Sequence, residues 1–179
     1  MKRVYGLVAI SILSVSCSQA APPAPAPAAA TTKSYATLAQ LMRGIPFPNS
    51  NIIFDTQSTD PAAAQKPVEG GGTGATQQFS GVYGGWQAVE NAALALQETA
   101  NLLTVPGRMC ENGRPAPVDQ EDFKKWAQGL ADAGAAAYKA AQSKNMDAMV
   151  DVSGTVADAC AACHEKYRDK DDTKDRCIP

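Results

Sequence analysis

Three long stretches of this 179-residue chain repeat apolar side chains at helical spacing, and no stretch alternates them convincingly as a strand would. Over residues 82–104, Trp86, Val89, Leu96, Ala100 and Leu103 fall on one face. Over 119 to about 143, Phe123, Trp126, Leu130, Ala133 and Ala137 do the same. From 145 to about 170 the stripe is Met146, Met149, Val156, Cys160, Cys163 and Tyr167. A shorter stretch, 34–44, puts Tyr35, Leu38 and Met42 in register before Pro46 and Pro48 end it. Asp119 and Asn145 read as N-caps, and Asp122 as charge suited to a first turn. Alanine supplies much of the 45% hydrophobic content, which favours helices. Four helices of uneven length predict an all-α antiparallel four-helix bundle. Residues 45–81 read as a long irregular connection between the first two helices, packed along the bundle through Phe47, Ile52, Ile53 and Phe54.

The N-terminus reads as an export signal. Lys2 and Arg3 precede an apolar run at 4–15, which is 12 residues and too short to span a bilayer. Two cleavage readings stand side by side. Ser18-Gln19-Ala20 resembles an ordinary site that would end the signal peptide at residue 20. Ser14-Val15-Ser16-Cys17 resembles a lipobox, with Ser where Leu is usual; that signal would end at 16 and Cys17 would carry a lipid tether. Residues 21–33 are an Ala/Pro-rich linker, extended and unpacked, and 34–179 form the folded domain. Either reading exports the protein to the periplasm, free or anchored as a lipoprotein. With 16 basic and 18 acidic residues, no strong field would draw the chain to nucleic acid.

The chemistry is concentrated in the last helix. Cys160-Ala-Ala-Cys163-His164 contains the one histidine of the chain, and Cys-x-x-Cys-His is a c-type haem attachment pattern. Positions i, i+3 and i+4 share a helix face. Two thiols there can add to the two vinyl groups of a single porphyrin, and the neighbouring imidazole can ligate its iron. Rival readings are weaker. A thioredoxin-like pair would follow a strand. A structural zinc site needs four ligands, and no second pair is spaced to complete one. The run Gly70-Gly71-Gly72-Thr73-Gly74-Ala75 fits a dinucleotide pattern but follows no strand.

Cys160-Ala-Ala-Cys163-His164-Glu-Lys-Tyr167-Arg168, closing a fourth helix, resembles the cytochrome c-prime family, over roughly residues 34–170. The resemblance implies a bacterial periplasmic haem protein with one covalent haem c, Arg168 close to the haem edge, and often a homodimer. The family divides over the far side of the iron. Some members leave it open or block it with an apolar side chain and bind NO or CO; others place a methionine there and resemble electron carriers. Met146 and Met149 precede His164 by 18 and 15 residues, about 27 and 22 Å along the same helix, out of reach. Met109 reaches only if its loop folds over the haem. Met42, about two turns into the first helix, lies where the Met-ligated members place their ligand; plain core packing is its other reading.

The same topology brings Leu102, Leu103, Phe123 and Trp126 to the haem end as candidate walls. It also brings together Cys110, between the second and third helices, and Cys177, after the fourth. Export favours oxidation, so a Cys110–Cys177 disulfide is expected. The chain therefore reads as an exported mono-haem cytochrome carrying single electrons between redox partner proteins, with His164 and Met42 as axial ligands. It turns over no substrate. A gas-binding or gas-sensing haem protein with an open distal site is the alternative.

Overall fold

The computed structural model describes residues 32–63 and 84–179. The signal, the Cys17 tether, most of the linker, Val82 and the glycine run at 70–74 lie outside them. The described residues hold five α-helices and one short 3-10 turn: α1 (Leu38–Gly44), α2 (Pro46–Asp55), α3 (Gly85–Leu103), α4 (Glu121–Ser143), α5 (Met146–Tyr167) and Thr173–Asp175. An isolated bridge pairs Met109 with Pro115, and no strand forms among the described residues.

The all-helical bundle is as expected, but its first member differs. Residues 45–81 are not wholly irregular, because α2 occupies Pro46–Asp55. Pro46 and Pro48 do not simply end a helix; they stand in the first turn of the next one, where a missing N–H costs nothing and the fixed φ suits the helix. The chain breaks at Ile45, whose backbone is non-helical (φ −126°, ψ −66°). It is α2, not α1, that takes the first place in the bundle, packing against both α3 and α5. Gln57 just beyond α2 donates to Ser153 Oγ at 2.8 Å, while Phe47 at its start lies near the end of α5. So α2 runs antiparallel to α5.

Helix α1 starts at Leu38, later than the apolar pattern suggests. Thr37 Oγ1 accepts from Gln40 N at 3.2 Å and Gln40 Oε1 accepts from Thr37 N at 2.9 Å. This capping box satisfies two otherwise orphaned donors. Asp119 does not cap α4; its N-cap is Gln120, with no side-chain bond. Asn145 does cap α5, accepting from Ala148 N at 3.0 Å. Lys144, in the left-handed region at φ 52°, turns the chain between α4 and α5. Helix α5 ends at Tyr167 instead of near 170.

Small residues set the closeness of α3 and α4. A Cβ on Gly134 would lie 2.7 Å from Gln97 N and 3.0 Å from Ala93 O, so the two backbones nearly touch there. Leu96, Ala92, Ala93, Phe123, Ala137, Met149 and Val156 are essentially sealed from solvent. Ile53 of α2 joins them, fully buried. None of the described helices is long and apolar enough to cross a membrane.

Candidate functional site

Cys160, Cys163 and His164 occupy the last turns of α5, half-buried. The two thiols are free, unbonded to each other or to another cysteine. All three residues line one cavity of about 830 Å³, within the ~300–1,000 Å³ usual for ligand pockets. A second wall comes from α4, with Phe123, Trp126 and Leu130. The third comes from α1 and α2, with Leu38, Met42, Phe47 and Phe54. Phe47 is 64% exposed, so that wall is partly open to solvent.

Burial shapes the donor set. It pushes the Cys163 thiol up to about 12, helped by the nearby Asp122 carboxylate and by Cys160. Burial also raises Cys160, against the opposing pull of Arg168. It lowers His164, as does the positive charge of Arg168, so the imidazole stays neutral at pH 7 with a nitrogen lone pair available. Two protonated thiols and a neutral imidazole on one apolar-walled face fit a covalently held porphyrin: each S–H can add across a vinyl double bond, and the imidazole can ligate iron. Among the described residues no three His, Cys, Asp or Glu side chains gather where they could hold a bare metal ion.

The expected site residues distribute as follows. Met42, Phe123, Trp126 and Arg168 line the same cavity as the motif, and so does Leu103. Leu102 does not line it; half-buried against the core, it offers its carbonyl to Arg108. Met149 is buried in the bundle core and Met109 is 41% exposed, its backbone carbonyl accepting from Leu38 N at 2.8 Å. Arg168, at the end of α5, donates from Nε to Asp169 Oδ1 at 2.7 Å.

Below the cavity, α4 and α5 are clamped. Tyr167 donates to Asp122 Oδ1 at 2.7 Å, and Lys166 pairs with the other carboxylate oxygen. The Tyr167 ring meets Phe123 and Trp126 edge-on at 5.7 and 5.9 Å. Asp122 therefore does more than charge a first turn.

The far end is closed by the 104–120 loop and the C-terminal tail. Cys110 and Cys177 are joined (S–S 1.92 Å, Cα–Cα 6.6 Å) and both border the cavity. Asn112 Nδ2 donates to the carbonyls of Thr173, Lys174 and Arg176, and Arg114 Nε to that of Lys174. Arg108 is buried, and its guanidinium donates to Leu102 O and Ala36 O at 2.6–3.1 Å. It ties the end of α3 to the approach to α1. Sequence reasoning missed these contacts. The Asn112-Gly113 pair was a turn signal, and Gly113 does turn the chain at φ 80°. Nothing in the sequence marks Arg108.

Residues 118–168 match the family model described as Cytochrome C'. The match spans α4, α5 and the residues just before α4. Comparisons with curated proteins and with solved structures gave no match.

Proposed function

We propose that this protein, whose residues 118–168 match the Cytochrome C' family model, is a haem-binding cytochrome and an exported electron carrier with a single covalent haem c. The observation that carries the proposal is the placement of two free thiols and one imidazole on a single helix face, opening into a cavity that Met42 lines from another helix. Cys160 and Cys163 would hold the porphyrin and His164 the iron from one side. Met42 would hold the other side, and Phe123 and Trp126 would exclude water from the ring. The haem supplies a one-electron couple when bound, tuned by ligand identity and burial. The protein turns over no substrate and passes electrons between partner proteins in the periplasm, free or tethered through Cys17. A Cys110–Cys177 disulfide would hold the tail in place there, and a homodimer accords with the family.

The second reading rests on the same wall. Leu38 and Phe54 line the cavity beside Met42, and an apolar side chain over the iron would leave a site for NO or CO. Visible spectra of oxidised and reduced protein, with and without CO, separate the two. Methionine ligation gives low-spin iron, a sulfur-to-iron charge-transfer band in the ferric form, and no ready CO binding. Met42→Ala then gains CO binding. Rapid CO binding by the unaltered reduced protein would decide for the gas-binding reading.

A further inference from the structure

The cavity rim carries three arginines, and they are not equivalent. Arg43 pairs with Glu111 at 2.7 Å and Arg168 with Asp169 at 2.7 Å. Arg176 forms no ion pair among the described residues. Its Nε is sealed from solvent with no hydrogen-bond partner, the one such side-chain atom found among the described residues. Yet Arg176 borders the same cavity as Cys160, Cys163 and His164. Glu111 is held low chiefly by its hydrogen bond to Arg43, and Asp169 chiefly by its hydrogen bond to Arg168. Both also feel the charge of Arg176, so it lies near two carboxylates without bonding either.

A buried guanidinium donor without an acceptor is costly, since it gives up water and gains nothing. The backbone that carries it is anchored. Its backbone N–H donates to Thr173 O at 3.3 Å, and its carbonyl accepts from Asn112 at 3.1 Å. The next residue, Cys177, is fixed by the bond to Cys110 and by its N–H donating to Tyr167 O at 2.9 Å. The tail thus holds an unpaired guanidinium at the edge of a cavity that, in the haem reading, would take a porphyrin with two carboxylates.

Resting on the haem reading above, we infer that Arg176 is a haem-binding residue: its guanidinium donates to a propionate carboxylate of the porphyrin, and the Cys110–Cys177 bond positions it to do so. A planar guanidinium suits this task because it can donate two parallel hydrogen bonds to one carboxylate. A cation at that edge also disfavours the more positive ferric state, so it raises the reduction potential.

The test uses haem-loaded full-length protein and two readouts, the propionate bending band in the resonance Raman spectrum and the reduction potential. Arg176→Gln is expected to shift that band down and lower the potential, while Arg176→Lys keeps most of the potential and loses part of the band shift. The paired variant Cys110→Ser/Cys177→Ser, which frees the tail, should reproduce the Arg176→Gln signature, and adding Arg176→Gln to it should change little more. Helical circular dichroism confirms that each variant is folded. If Arg176→Gln carries haem with both readouts unmoved, the guanidinium does not bond a propionate and the inference fails while the haem reading stands. If protein matured where haem is available carries none, both fail.

Discussion

The two walls that face each other across the cavity were built by different means. The α5 wall is local: Cys160, Cys163 and His164 share a face because helical geometry puts i, i+3 and i+4 together, whatever the rest of the chain does. The α1–α2 wall is assembled at a distance. Met42 belongs to a helix of seven residues. That helix is held by Leu38 N–H on Met109 O, by Arg108 on Ala36 O and by Arg43 on Glu111. Each of those contacts bridges more than 60 residues of sequence, as the separations of 72 and 68 for the latter two show. In the haem reading, the first wall would therefore fix where the cofactor is attached. The second would decide what lies opposite its iron.

The largest effect tests the local wall. Replacing both Cys160 and Cys163 by Ala should abolish covalent attachment, so that acid–acetone extraction removes all haem; His164→Ala should leave the α5 side without its ligand and weaken haem retention by more than the ~10-fold that losing even an outer-shell partner of a metal ligand typically costs. Haem retained after extraction of the double Cys variant would break the assignment.

The next test concerns the distant wall. The Cys110–Cys177 bond spans 67 residues, and a closed loop of that length contributes about 4 kcal/mol in a chain-entropy treatment. Cys177→Ser should lower unfolding stability by about that much, with a range of ~2–5 kcal/mol. It should also speed access of small ligands past α1 while leaving the haem covalently attached. Mass spectrometry of unreduced mature protein reads the bond directly; two free thiols at 110 and 177 would remove the prediction's basis.

How far each wall was legible follows from the same contrast. The helical stripe through Phe123, Leu130, Ala133 and Ala137 and the haem motif were plain, because periodicity and spacing are local properties. Pro46 misled because proline ends a helix and begins one equally well, and only the tertiary surroundings decide which. Thr37-x-x-Gln40 is a readable start signal, but Tyr35 extends the apolar register past it; Tyr35 is in fact 89% exposed. Arg108 and Arg176 were invisible. Their roles depend on backbone carbonyls and on a cavity edge that exist only after folding.

A smaller effect tests whether the bundle beneath is a common scaffold for both walls. Gly134→Ala places a Cβ against Gln97 N at 2.7 Å, where backbone cannot give way. Overpacking of this kind costs ~1–3 kcal/mol. Gly129→Ala, on the same helix with nothing within 4 Å, should instead gain ~0.5–1 kcal/mol from helix propensity. Urea denaturation of both variants gives opposite signs if the close α3–α4 approach is real. Gains in both would show that the helices have room to spare.

The smallest effect lies under the α5 wall itself. Asp122 is held below the usual carboxylate range, first by the hydrogen bond from Lys166 and then by that from Tyr167. Its folded-state affinity for protons is thus weaker than in the unfolded chain, where an Asp titrates near ~3.9. The contribution of the clamp is therefore complete above that pH and is lost as pH falls through the lower folded value. Asp122→Asn keeps one acceptor oxygen for Tyr167 but gives up the charge that holds Lys166. The variant should unfold at lower urea than the parent by a constant gap from pH 5 to 8, and the gap should close towards pH 3. The pair is partly exposed, so salt should shrink the gap at neutral pH as well. An equal gap at pH 3 and pH 7 would mean that Asp122 acts through shape and not through charge. The end of α5, and with it the face that carries Cys160, Cys163 and His164, would then be set by the Tyr167 ring against Phe123 and Trp126 alone.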